Sequence, residues 1–297
     1  MAEEIQLKFH EDAEKKKLHE QLEEHHKKLE GIKKDAELLF RNETFRSGEF
    51  QGLTKREVEI KVSSETDVIR VHTGIEGFDE LIEGGIPEKS VVLLTGMTGT
   101  GKSIFAMEFL IDGALHNEPG VYISLQESLE ETMNQMRFFG WPVDKLAEEG
   151  KLLIVQPELY NFDGLLTTIE DSIDRVGAKR LVIDSISIIG MYFEEPFKIR
   201  KSLLDLGQML KKLGCTTLAI SEVGEGEVEL SAYGVEEYVS DGVVVLYYIK
   251  KGGMFLRAVT IRKLRSTRHS TKIHPIEIKR PGGIVVYPSE EVFSEAG

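Results

Sequence analysis

From residue 71 to about residue 250, short apolar runs alternate with longer stretches whose apolar positions recur every three or four residues. The short runs are SVVLLT (90–95), GVYISL (120–125), LLIVQ (152–156), RLVIDS (180–185), TTLAIS (216–221) and GVVVLYYI (242–249). They are rich in β-branched residues and read as buried strands. The helical stretches between them begin near Ser103, Leu129, Phe162, Pro196 and Ile199. Strand-then-helix alternation predicts crossover connections and a mostly parallel sheet covered on both faces. After residue 250 the pattern changes, because MFLRAVTIRKL, HPIEIKR and GGIVVYP are separated by turn sequences such as KKGG and RPGG. These predict antiparallel strands at one edge of an α/β core.

The first 40 residues follow another rule. Leu18, Leu22, His25, Leu29, Ile32, Ala36 and Leu39 are spaced 4, 3, 4, 3, 4, 3, the apolar seam of a short two-stranded coiled coil. A dimer contact, a protein partner bound through this helix, or an amphipathic helix lying on its own domain all satisfy the spacing. The helical period is lost by residue 46. The expected division is a charged helical extension at 1–45, a linker at 46–70, the α/β domain at 71–290 and a tail at 291–297. Four of the eight histidines lie in the extension, without metal-ligand spacing.

Composition narrows the class of protein. The chain has 297 residues and 41% hydrophobic content, and none of its apolar runs approaches the roughly 20 residues of a membrane span. Its opening, MAEEIQLKFHEDAEKKK, is charged where a signal peptide would be apolar, so a cytoplasmic protein without membrane contact is expected. Cys215 is the single cysteine and reads as a small buried strand residue. A net charge of −14 disfavours nucleic acid as a partner. Residues 250–280 nevertheless hold ten Lys or Arg against one acid, Glu277, so a basic face is expected there.

The strongest chemical signal is GMTGTGKS, Gly96 to Ser103, which matches the P-loop (Walker A) pattern G-x-x-x-x-G-K-[ST] with a strand before it and a helix after it. Glycines let backbone N–H groups turn toward phosphates, and the helix dipole favours the anion. Gly96, Thr98, Gly99, Thr100, Gly101, Lys102, Ser103 and Ile104 are the candidate nucleotide cradle. Lys102 is expected to reach the β- and γ-phosphates, and Ser103 to ligate Mg2+. KRLVIDSIS ends an apolar run in Asp184, the candidate Walker B carboxylate, holding Mg2+ directly or through a water.

These residues, together with TGIEGFDELIEGGIPEKSVVLL before them and ESLEETMNQMRFFGWPVDKLAEEGKL, AYGVEEYVSDGVVVL and KLRSTRH after them, resemble KaiC-type ATPases of the RecA superfamily. The resemblance covers about residues 70–287. It implies a RecA-like core, ATP as ligand, and homo-oligomeric, usually hexameric rings with nucleotide between subunits. By the same resemblance, Lys263, Leu264, Arg265, Thr267 and His269 would reach the neighbouring subunit's nucleotide, as an arginine finger does. The competing reading is an exposed basic hairpin on nucleic acid. Lys279 and Arg280 depart from the small or acidic residues expected near the base or ribose, so that role is not carried over.

Members of the family end the strand after the P-loop helix in two glutamates, one of which polarises the attacking water. Here the pair is Gln126 and Glu127. A carboxamide orients water but accepts no proton near pH 7, and a general base contributes typically ~10²- to 10⁴-fold in rate. Slow hydrolysis follows unless Glu127 serves. The plainer alternative makes Gln126 a strand exit and Glu127 a helix cap, with Ser128 doing likewise. Glu222, ending TTLAISE, either senses the γ-phosphate or begins an acidic loop.

Three functional readings remain: an ATPase or ATP-driven switch, a recombinase-like DNA binder, and an autokinase or signalling scaffold. The DNA reading draws on Tyr192, Phe193, Lys198, Arg200 and Lys201, but the next loop, EVGEGEVELSAYGVEE, is acidic. For the autokinase, the family's hydroxyl pair is replaced by Glu237 and Tyr238.

Overall fold

The computed structural model describes residues 68–158, 161–193, 195–224, 230–234, 236–251 and 253–292. The predicted N-terminal seam, most of the linker, residues 225–229 of the acidic loop and residues 293–297 of the tail lie outside them. In chain order the elements are β1 (Arg70–Val71), β2 (Ile86–Pro87), β3 (Val91–Gly96), α1 (Lys102–Leu115), β4 (Gly120–Ser124), α2 (Leu129–Phe138), α3 (Val143–Glu148) and β5 (Leu152–Val155). There follow α4 (Phe162–Val176), β6 (Arg180–Asp184), a 3-10 segment (Ile186–Tyr192), α5 (Pro196–Leu213), β7 (Thr216–Glu222), α6 (Glu236–Val239), β8 (Gly242–Lys251), β9 (Met254–Leu264), β10 (His274–Ile278) and β11 (Ile284–Val286).

β1 and β2 form a small antiparallel pair. The other nine strands form one sheet in the order β11-β10-β9-β8-β3-β7-β6-β4-β5. Pairing is parallel from β8 to β5 and antiparallel from β8 to β11, the α/β architecture with an antiparallel edge that the pattern predicts. The two-residue side-chain period splits the strands between two cores. Val92, Leu94, Tyr122, Val182 and Leu218 pack on α1 through Phe105, Phe109 and Leu110. Val91, Leu93, Val121, Ile123, Leu181 and Ile183 pack on α4 and α5 through Leu165, Ile169, Ile173, Leu203, Leu206 and Leu210.

Local chemistry sets the helix ends. Ser128 opens α2 with a full capping box to Glu131. The Asn161 side chain accepts from Gly164 N at the start of α4, and Pro196 opens α5. The two predicted starts at Pro196 and Ile199 are one helix, because Ile199 lies in its first turn with its N–H bonded to Glu195 O. Cys215 is fully buried and donates to Ala178 O at 3.2 Å, and burial raises its thiol to about 11. It is structural, as expected. Among the described residues, no helix is long and apolar enough to cross a membrane.

Candidate nucleotide site

The register of the sheet gathers the predicted chemistry at one end. Gly96 of β3 lies opposite Glu222 of β7, and Ser124 of β4 lies opposite Asp184 of β6. All four are at carboxyl ends of parallel strands, where α/β folds bind ligands. The Gly96 φ of 147° is closed to L side chains, and a Cβ there would lie 2.2 Å from Leu246 O. Gly101, at φ 107°, starts α1. Only glycine lets the loop wrap this tightly.

A cleft of about 290 Å³ opens over this loop. Thr98, Gly99, Gly101, Lys102, Ser103, Ile104, Gln126, Glu127, Asp184 and Glu222 all line it. Gly96 and Thr100 shape the loop from beneath, the Thr100 hydroxyl donating to Met97 O at 2.8 Å. Lys102 is buried, and its Nζ donates to Gly96 O (2.8 Å) and Met97 O (3.0 Å). Burial lowers its pKa, opposed by the charges of Glu222 and Asp184. A cation held only by carbonyl dipoles, with carboxylates beyond contact, is matched to an incoming phosphate. Ser103 Oγ donates to Asp184 Oδ2 at 2.7 Å, and Tyr122 OH donates to the same oxygen at 2.6 Å. An all-oxygen pair of this kind suits a hard cation such as Mg2+. The residues therefore fit a Mg2+–nucleotide.

The Gln126–Glu127 pair divides its work. Gln126 is exposed and donates from Nε2 to Ser185 Oγ at 3.3 Å. Glu127 is half-buried, its Oε2 accepting from Gln135 Nε2 at 2.6 Å. Burial, with Asp184 nearby, raises its pKa, which favours a proton acceptor. Of the two caps that the plainer sequence reading offered, the Ser128 side chain takes the position and Glu127 does not. Glu222 keeps its side chain toward the cleft while its backbone N–H donates to Ser187 Oγ at 3.0 Å.

The basic segment lies elsewhere. Leu264 pairs with Gly242, and Gly242 with Val92, so these residues flank the amino end of β3. The four-residue step from Val92 to Gly96 puts them about 13 Å from the P-loop along the strand. None of Lys263, Leu264, Arg265, Thr267 and His269 lines the cleft of its own chain. Lys263 Nζ donates to Glu237 O (3.0 Å) and Ser240 O (2.6 Å), and burial lowers its pKa. Arg265 donates to Asp241 Oδ1 at 3.3 Å with its side chain 62% exposed. The Thr267 hydroxyl accepts from Arg70 Nη1 at 2.9 Å, and His269 Nδ1 lies 2.9 Å from Ser270 O. The Leu264 side chain is buried against Gly242.

The nucleic-acid readings lose their footing here. Tyr192 and Phe193 pack on Phe162, with ring centroids 6.3 and 5.6 Å away, and Lys198 pairs with Glu195. In the basic run, Lys272 pairs with Glu291, Lys279 with Glu277, and Arg280 stacks on Phe138. Part of the positive charge is thus taken up by partners within the chain.

Sequence reasoning missed three parts of the site. Tyr122 reaches Asp184 from the next strand, Gln135 reaches Glu127 from the second turn of α2, and Arg257 lies over the P-loop, donating to Gly99 O at 3.3 Å while stacking on Tyr248. The contacts of Tyr122 and Arg257 are long-range, and that of Gln135 depends on how α2 docks.

Comparison with known proteins gives the family and the fold. The family model described as KaiC ATPase matches residues 71–291. The UPF0273 protein of Methanocaldococcus jannaschii is 37% identical over 239 residues, covering 74% of this chain and 97% of that protein. The circadian clock oscillator protein KaiC of Thermostichus vulcanus is 34% identical over 236 residues, 76% of this chain but 45% of that protein. Among solved structures, a KaiC-like protein of Pyrococcus horikoshii superposes with a TM-score of 0.69 at 48% identity, covering 74% of this chain and all of that one.

Proposed function

Since the chain belongs to the KaiC family of ATPases, with its RecA-type fold, we propose that it is a slow, Mg2+-dependent ATPase that works as a ring of identical subunits in the cytoplasm. The observation that carries the reading is the cleft itself, where Lys102, Ser103, Asp184 and Glu127 converge on one loop. Lys102 would exchange its two carbonyl partners for β- and γ-phosphate oxygens. Ser103 and Asp184 would hold the metal, which when bound neutralises charge on those oxygens. Glu127 would carry what base chemistry remains, taking the proton from the attacking water less effectively than a glutamate at position 126 would, while Gln126, a donor and acceptor without basicity, orients it.

The neighbouring subunit would complete the site. The Arg265 side chain is exposed and tethered through one hydrogen bond, so the guanidinium can leave the Asp241 carboxylate for a phosphate oxygen of the next copy. Lys263, Thr267 and His269 lie on the same surface segment. A ring-forming switch, in which ATP binding rather than turnover is the output, differs from this reading only in rate.

Phosphate release from wild type, Gln126→Glu and Glu127→Gln tests the assignment. Glu127→Gln should cut turnover by about 10²-fold or more, and Gln126→Glu should raise it. Full activity in Glu127→Gln would remove Glu127 as the base. An unchanged rate in Gln126→Glu would mean the wild-type site is not slowed by its carboxamide.

A further inference from the structure

We infer that Tyr122 is a positioning residue for the metal site: its hydroxyl fixes the Asp184 carboxylate, which in turn fixes the Ser103 hydroxyl so that its lone pair faces the cation. This rests on the Mg2+–ATP reading above and assigns it a residue that does not line the cleft.

Sheet geometry places the phenol. Tyr122 on β4 lies opposite Val182 on β6, which makes Asp184 its diagonal neighbour two residues on, facing the same side. One strand spacing of about 4.8 Å and a two-residue rise of about 6.6 Å put the two Cα atoms about 8 Å apart, within reach of a long aromatic side chain. The ring is 1% exposed, packed in the core beneath α1. Its hydroxyl donates to Asp184 Oδ2 at 2.6 Å.

That oxygen is shared. Ser103 Oγ donates to it at 2.7 Å, so one carboxylate oxygen receives two hydroxyl protons, one from the P-loop helix and one from the strand. A serine hydroxyl has a single proton, and directing that proton at Asp184 leaves its lone pairs to the open cleft. The donor from Tyr122 opposes rotation of the carboxylate, and the serine rotor inherits that constraint. Partners of metal ligands that act in this way typically contribute 10- to 100-fold in metal affinity. Mg2+ demands near-ideal octahedral geometry, whereas Ca2+ accepts irregular shells. A positioning role should therefore matter more for Mg2+ than for Ca2+.

The test is Tyr122→Phe, which removes one oxygen and keeps the buried ring. Binding of a ribose-labelled fluorescent ATP is followed in EDTA, then during titration with Mg2+ or Ca2+, beside wild type, Ser103→Ala and Asp184→Asn. The expected result is unchanged metal-free binding, a Mg2+ midpoint raised about 10-fold or more, and a smaller shift with Ca2+. If Ser103→Ala and Asp184→Asn raise the Mg2+ midpoint but Tyr122→Phe stays within twofold of wild type, the inference is wrong and the metal site stands. Equal loss with and without metal would mark Tyr122 as merely structural and also overturn it. If none of the three variants shifts the midpoint, the metal reading itself falls, and the inference with it.

Discussion

Glu108 lies on α1 with its carboxylate accepting from Ile284 N at 2.8 Å, near Asp112 and Glu76. Burial, with those two acids, raises its pKa from 4.5 to about 8. The folded state thus holds a proton that the unfolded chain releases above about pH 4.5, and this contribution to stability is lost as pH rises through about 8. The slope can reach about 1.4 kcal/mol per pH unit between those values. Glu108→Gln keeps an acceptor for Ile284 and cannot ionise. It should flatten the dependence of melting temperature on pH between 5 and 8 and melt higher than wild type at pH 8, read by thermal denaturation. At the same scale, the P-loop was legible because its glycines, lysine and serine are consecutive. Tyr122 was not, because its meaning depends on which strand lies beside β4.

Elements were legible where burial imposes a period. The six predicted parallel strands all form, within two residues at their ends, since each is a run of mostly apolar residues. α3 escaped notice because six residues burying only Val143 and Leu146 make too little of a period. Within α2, the cap and the site share a loop: Ser128 opens the helix one residue after Glu127, and Gln135 returns from it to hold Glu127. Ser128→Ala should cost about 1 kcal/mol through the lost cap, or about 2–4 °C in melting temperature for a domain of this size. Turnover should fall as well, because fraying of the first turn loosens both residues. A variant that melts lower with an unchanged phosphate-release rate would show that the cap and the site are independent.

For the whole molecule, the ring proposed above would make assembly a condition of activity, because the basic segment is separated from the cleft of its own chain. Arg265→Ala should lose about 10³-fold in turnover, by the usual worth of an arginine finger, while each subunit still binds ATP. Native mass measurement with Mg2+ and ATP should show a closed ring. Mixing Arg265→Ala with Glu127→Gln should restore phosphate release that neither variant shows alone. In mixed rings some sites would pair an intact Glu127 with a neighbour's intact Arg265. No recovery on mixing would place the finger within its own chain, or nowhere.

The position of Leu264 beside Gly242, four residues of strand away from the P-loop end, has a consequence for symmetry. A donor patch and a receiver patch at opposite ends of one sheet meet between copies head to tail, a heterologous contact that repeats instead of cancelling. In a closed ring every subunit both gives and receives. Any open arc has one completed site fewer than it has subunits, with a bare receiver at one terminus and an idle donor at the other. Specific activity should then climb with protein concentration and level off once closure is complete, and the dilution at which it drops would measure the strength of a single joint.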